Sequence, residues 1–288
     1  MKEFLKSLYN IVILFFQTVI SVICVLLFSR KSNDRYFKEQ RKKREIDDEC
    51  YILCNGPSLS QLLDQEKLIL HNSYVVNYFA TTSQYTRIRP NNYIVLDNRV
   101  IGKAVLSEEE DILVNNLYTD IIEKTTWPLT FFYPNSGIKK YREMLKKNLN
   151  ITVVVFNMTP VSGFKCINHW LFRHSLGMPW PENISNAAVF CALNSGYKRI
   201  YLYGVEHSWM KNLDIDPETH KLFLNDGHFY KKNDINWLNR GDYLIWLGWT
   251  HRALQSHFEL RTYADAIGAK VINKTANSFI EAYEFDEY

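Results

Sequence analysis

The chain has 288 residues, enough for one large α/β domain or two small ones. Its 34 basic and 31 acidic residues nearly cancel, so net charge gives no support to nucleic-acid binding. Five cysteines, an odd number with no Cys-x-x-Cys spacing, argue against a disulfide framework or a thiolate metal site and favour a reducing compartment.

Leu8 to Phe28 contains no charged residue and is long enough to cross a bilayer as a helix. No small-residue cleavage site follows it, so residues 1–29 read as a transmembrane anchor rather than a removable signal. Lys2 and Lys6 precede the run; Arg30, Lys31, Arg35, Lys38, Arg41, Lys42, Lys43 and Arg44 follow it. That asymmetry predicts a single-pass membrane protein with its body in the cytoplasm. Residues 30–48 form a basic juxtamembrane linker, either resting on anionic membrane lipids or simply solvated.

Residues 49–288 make up the folded domain. Tyr51 to Leu53 is apolar, Cys54-Asn55-Gly56-Pro57-Ser58 follows, and Leu59 to Leu70 is amphipathic. The order predicts a buried strand, a tight turn and a helix. Gly56 permits close backbone approach and Pro57 suits a first helical turn, so this helix end can receive a phosphate. It can equally be an ordinary turn capped by Ser58.

Further strands are predicted at Tyr74–Asn77, Tyr93–Leu96, Leu129–Tyr133, Ile151–Phe156, Arg199–Tyr203 and Lys270–Asn273. Helices are predicted at Glu108–Glu123, Lys139–Leu149, Ser185–Ser195 and His251–Ile267. The alternation implies a Rossmann-like α/β fold, a largely parallel sheet with helices on both faces. Ligands bind such folds beyond the carboxyl ends of the strands. Cys54-Asn55, Asn77, Asp97-Asn98, Gly204 to His207 and Asn277-Ser278 all follow apolar runs and mark one rim. Ser208 to Thr250 is a long, irregular insertion rich in Trp, Tyr and Phe. That composition argues against disorder and fits either a lid that excludes water or a small packed subdomain. His169, His174, His251 and His257 belong to no motif and read as surface or core residues.

Six features, in order, carry a resemblance. They are the Asn-Gly-Pro-Ser-Leu turn, Val76-Asn77, Leu96-Asp97-Asn98, the run Gly196-Tyr197-Lys198-Arg199-Ile200-Tyr201-Leu202-Tyr203-Gly204-Val205-Glu206, Gly227-His228-Phe229, and Asn277-Ser278. In these the chain resembles the bacterial sialyltransferases of glycosyltransferase family 42 and related DUF115 proteins, which include flagellin-modifying glycosyltransferases and a pterin pyrophosphokinase. The resemblance implies a GT-A-like variant of the fold and transfer of a sialic-acid-like nonulosonate from a CMP donor, with inversion, to a saccharide or lipid-linked acceptor. It assigns His228 as general base. Asn55, Gly56, Ser58, Asn77, Asp97, Asn98, Ser185, Gly204, Glu206 and His207 become donor-binding positions. The nucleotide sugar is a co-substrate, and neither a bound cofactor nor a metal is required if backbone donors stabilise the leaving phosphate.

Two departures stand out. The family tyrosine that follows its Gly-Ile-Asp-Phe is missing from Glu206-His207-Ser208-Trp209, leaving Tyr230 as a substitute. Asp97 stands where the family has Asn, and an acid there repels phosphate unless it pairs or binds metal. The donor therefore stays open between a CMP-linked nonulosonate, CMP-Kdo, and a nucleoside-diphosphate sugar with a divalent ion. Two other readings stand beside transfer of a sugar. One is phosphoryl transfer, with Asp97 and Glu206 as a metal pair; the other is a catalytically silent scaffold. Homo-oligomerisation is possible on either.

Overall fold

The computed structural model describes residues 1–45, 48–64, 71–225, 227–230 and 235–286. Among the described residues there are eleven strands: β1 (Glu49–Leu53), β2 (Ser73–Val76), β3 (Asn92–Ile94), β4 (Leu129–Pro134), β5 (Ile151–Phe156), β6 (Arg199–Tyr203), β7 (Leu213–Ile215), β8 (Leu222–Asn225), β9 (Ile235–Trp237), β10 (Lys270–Asn273) and β11 (Glu284–Phe285). The α-helices are α1 (Lys2–Phe28), α2 (Asp34–Lys43), α3 (Leu59–Leu63), α4 (Gln84–Ile88), α5 (Glu108–Lys124), α6 (Lys139–Leu145), α7 (Lys165–Arg173), α8 (Ile184–Asn194) and α9 (Asp242–Ala266).

Eight strands form one sheet in the order β11-β10-β6-β1-β2-β3-β4-β5, and every pair in it is parallel. The chain steps outward from β1 to β5, then returns to the opposite side of β1 with β6. β1 and β6 therefore flank the point where the strand order reverses, the place where open parallel sheets hold ligands.

Alternating side chains feed two cores. Leu53, Val75, Tyr93 and Phe131 pack with α3, α5 and α6 on one face. Ile52, Tyr74, Ile94 and Phe132 pack with α8 and α9 on the other. Side chains buried on both faces explain why these strands read as unbroken apolar runs. α8 is buried from Ser185 to Asn194, and its alanines let the helix lie close on the sheet. α5 starts with a capping box, Ser107 to Glu110, as its Ser-x-x-Glu spacing dictates.

Several boundaries differ from the sequence expectation. α9 begins at Asp242 rather than His251, because Trp246, Gly248 and Trp249 disguise its first turns. α7 gave no recognised signal. The helix expected over Leu59–Leu70 is α3, ending at Leu63; residues 65–70 lie outside the described set. The aromatic insertion forms a 3-10 turn (Ser208–Asn212) and a three-stranded antiparallel sheet, β7-β8-β9. Much of the basic stretch expected as a linker is α2, whose Phe37 is fully buried and stacked 5.9 Å from Phe132.

α1 is long and apolar enough to cross a membrane by length and composition. Its large hydrophobic residues are mostly exposed, but Thr18, Ser21 and Val25 are buried against the body.

Candidate functional site

The carboxyl ends of β1 and β6 are tied together. Cys54 N–H donates to Tyr203 O at 2.9 Å, and Gly56 N–H to Gly204 O at 2.9 Å. Gly204 has φ +66, and a Cβ there would lie 2.5 Å from Cys54 O, so glycine is required on both conformational and steric grounds.

Glu206 changes the meaning of the Asn55-Gly56 turn. Its Oε1 accepts the Ser58 N–H at 2.7 Å, and a Cβ on Gly56 would fall 1.6 Å from its Oε2. The anion at this turn is the chain's own carboxylate. Gly56 is needed here to admit Glu206 and the Gly204 carbonyl, and the N–H groups of Gly56 and Ser58 are already engaged. The Ser185 N–H is likewise taken, by Asn183 Oδ1 at 2.8 Å.

Asn55 is 9% exposed. Its Nδ2 donates to Val76 O at 3.3 Å, which fixes the amide orientation and leaves Oδ1 without a partner among the described residues. Its main-chain carbonyl accepts the Phe229 N–H at 3.0 Å, and the Phe229 ring lies 5.6 Å from Phe79. Residues 228–230 are thereby pinned over the end of β1. His228 is half-buried, with its ring 5.2 Å from Tyr230.

Asn77 adopts a left-handed conformation, and its Oδ1 accepts the Leu96 N–H at 3.2 Å, joining the ends of β2 and β3. Asp97 pairs with Arg99 at 2.8 Å, which raises the Arg99 pKa through that hydrogen bond. Its charge is thus compensated. Burial, with Asp97 nearby, pushes the Tyr78 phenol up to about 12. Asn98 is exposed, and its carbonyl accepts from Lys103 and Ala104.

Behind Gly204 lies a buried polar cluster. Ser185 Oγ is 3.3 Å from His207 Nε2 and 3.2 Å from His257 Nε2, and donates to Asn183 Oδ1 at 2.8 Å. His257 Nδ1 lies 2.9 Å from the Tyr283 hydroxyl. Ser185 has one proton, given to Asn183, so each imidazole must supply an Nε2–H. Tyr283 then donates to His257 Nδ1, and His207 Nδ1 is left as a bare acceptor with no partner among the described residues. Burial lowers the His207 pKa to about 3; burial and His207 lower that of His257 well below its ordinary value. Both rings are neutral at pH 7. His207 also stacks on Trp209 at 4.4 Å.

The structure therefore brings Asn55, Gly56, Ser58, Gly204, Glu206, His207 and Ser185 to the β1–β6 switch point, with His228 and Tyr230 carried over Asn55. Asn77, Asp97 and Asn98 lie beyond the next strands. Sequence reasoning missed His257, Tyr283 and Asn183. The available signal was a polar residue on the buried stripe Thr250, Ala253, His257, Leu260, Ala264 of α9. Among the described residues no group of three or more His, Cys, Asp or Glu is placed to hold a metal ion. The architecture is that of a Rossmann-like α/β protein. No family model matches the chain, and no curated protein or solved structure matches it.

Proposed function

We propose that the chain is a glycosyltransferase held at the cytoplasmic side of a bacterial membrane, taking a nucleotide-activated sugar, with a CMP-linked nonulosonate favoured. The observation that carries this reading is a pair of buried acceptors near the switch point, Asn55 Oδ1 and His207 Nδ1, that have no hydrogen-bond partner among the described residues. Unsatisfied acceptors of this kind each cost about 1–3 kcal/mol, and a ligand with hydroxyl or amino donors relieves that cost. Ribose, a nucleobase amine and a sugar ring all supply such donors.

In this reading the donor lies across the ends of β1 and β6. His228 takes the proton from the acceptor hydroxyl as that oxygen attacks the anomeric carbon and the nucleotide leaves. The segment around His228, with the small sheet β7-β8-β9, serves as the lid of a GT-A-like variant, and its aromatic side chains keep out water, the competing nucleophile. Tyr230 takes the part of the tyrosine that holds the leaving phosphate in this reading. The acceptor is a glycan or lipid-linked saccharide. Compensation of Asp97 by Arg99 removes the repulsion an acid would impose on an anionic donor. Phosphoryl transfer through Asp97 and Glu206 is disfavoured, since these carboxylates are committed to Arg99 and to the Ser58 N–H.

The test is thermal stabilisation of the detergent-solubilised chain by CMP- and UDP-sugars, with and without Mg2+. A true donor stabilises the folded state by mass action. A CMP-sugar should raise the melting temperature, and Asn55→Ala should abolish the rise. If no nucleotide sugar of either class stabilises the protein, the proposal fails.

A further inference from the structure

α1 combines two features that conflict in an upright span. Leu8–Phe28 is long enough for about 30 Å of hydrocarbon at 1.5 Å per residue. Yet its second half is docked on the body. Ser21 Oγ donates to Ser162 O at 2.9 Å and accepts the Ser162 N–H at 2.9 Å. Thr18 Oγ1 accepts the Phe164 N–H at 2.9 Å. A Cβ on Gly163 would lie 2.1 Å from Thr18 Oγ1 and 2.7 Å from Thr18 N, so the loop and helix touch at backbone distance.

These contacts set charged groups beside the middle of the apolar run. Lys165, exposed, directly follows Phe164. Leu14 and Gln17 share a cleft of about 170 Å³ with Lys165, His169 and Glu259. In an upright span centred near Thr18, Lys165 and Glu259 would sit near the bilayer midplane, where charged side chains are costly. The part of the run beyond the contacts, Leu8 to Gln17, covers only about 15 Å, half the hydrocarbon thickness.

We propose that α1, docked as seen, lies along the body in the plane of one phospholipid leaflet and does not cross it. The inference rests on the membrane reading given above. Phe15, Phe16, Ile20, Leu26 and Leu27 form an exposed apolar surface that a leaflet covers. Lys2 and Lys6 at one end, and Arg30 and Lys31 at the other, reach anionic headgroups. Thr18 and Ser21 satisfy the irregular backbone of Ser162 and Phe164, as polar main chain close to lipid requires.

The test is protease access to the full chain, tagged at both termini and synthesised in the presence of sealed vesicles of phosphatidylethanolamine and phosphatidylglycerol. Both tags should be digested from outside while the protein stays vesicle-bound. Protection of the N-terminal tag alone would establish a crossing helix and overturn the proposal. Failure to bind vesicles would overturn both this and the membrane reading, whatever the donor assay gives. The combined change Thr18→Leu and Ser21→Leu removes the ties and raises the apolarity of the helix. It should increase the N-terminally protected fraction several-fold; an unchanged fraction would overturn the role of docking in holding α1 flat.

Discussion

Glu206 shows how one side chain can occupy a site that its surroundings seem to reserve for a ligand. The turn Asn55-Gly56-Pro57-Ser58 has the glycine and the helix-end N–H of an anion site, and the anion that takes the Ser58 N–H arrives from beyond the end of β6. Glu206→Ala should cost about 1 kcal/mol in urea unfolding, because it leaves the half-buried Ser58 N–H without its carboxylate partner. Glu206→Gln, which keeps an acceptor, should cost less. Equal losses in the two variants would show that this hydrogen bond is not what Glu206 contributes. His228 is the residue on which the proposed chemistry turns. His228→Ala should lower turnover by roughly 10²–10⁴-fold, with donor-induced stabilisation intact. Near-normal turnover would withdraw the base assignment. Gly56→Val is a poor probe of donor binding, since its side chain would meet the Glu206 carboxylate and the Gly204 carbonyl before any ligand.

At the scale of elements, β5, β6 and β10 have the boundaries read from sequence, because their apolar runs stop at turn-forming residues such as Gly204. The rim was legible for the same reason: each polar residue after an apolar run marks a strand end. Three things were not legible. The Glu206 carboxylate reaches Ser58 only because β6 pairs with β1, a contact across many intervening residues. The tie of His257 to Ser185 needs α9 packed beside α8. The folding of basic residues into α2 was masked by their charge, although Tyr36 and Phe37 supply its buried side. Phe37 has no exposure and stacks on Phe132 from β4. Phe37→Ala should cost about 3–5 kcal/mol, as large-to-small changes in aromatic cores do. It should also loosen α2, so that trypsin cuts at Arg41 to Arg44 faster than in the wild type. Unchanged stability and cleavage would mean that α2 holds by its Asp34 ion pairs with Lys38 and Arg41 instead.

For the whole molecule, the two apolar layers on the sheet supply stability at neutral pH, and the buried neutral histidine cluster makes that stability fall in acid. His207 has a folded-state pKa of about 3 against an ordinary value near 6.5, because burial excludes its charged form. Between those values the unfolded chain binds a proton that the folded chain refuses. Stability therefore rises with pH across this window, is fully present above it, and is lost as pH falls. His207 alone should remove roughly 2 kcal/mol between pH 6.5 and 4.5, and His257, also depressed, adds in the same direction. Glu259, raised by burial to about 7, acts in the opposite sense, since its neutral form is favoured when folded. Comparison of variants separates these contributions. Urea unfolding of the full chain in detergent at pH 7.0, 5.5 and 4.5 should show a fall that is shallower in His207→Gln than in the wild type. An equal fall in both would show that His207 takes up its proton in the folded chain as readily as in the unfolded one, and would overturn burial of a neutral His207 as a source of the acid sensitivity.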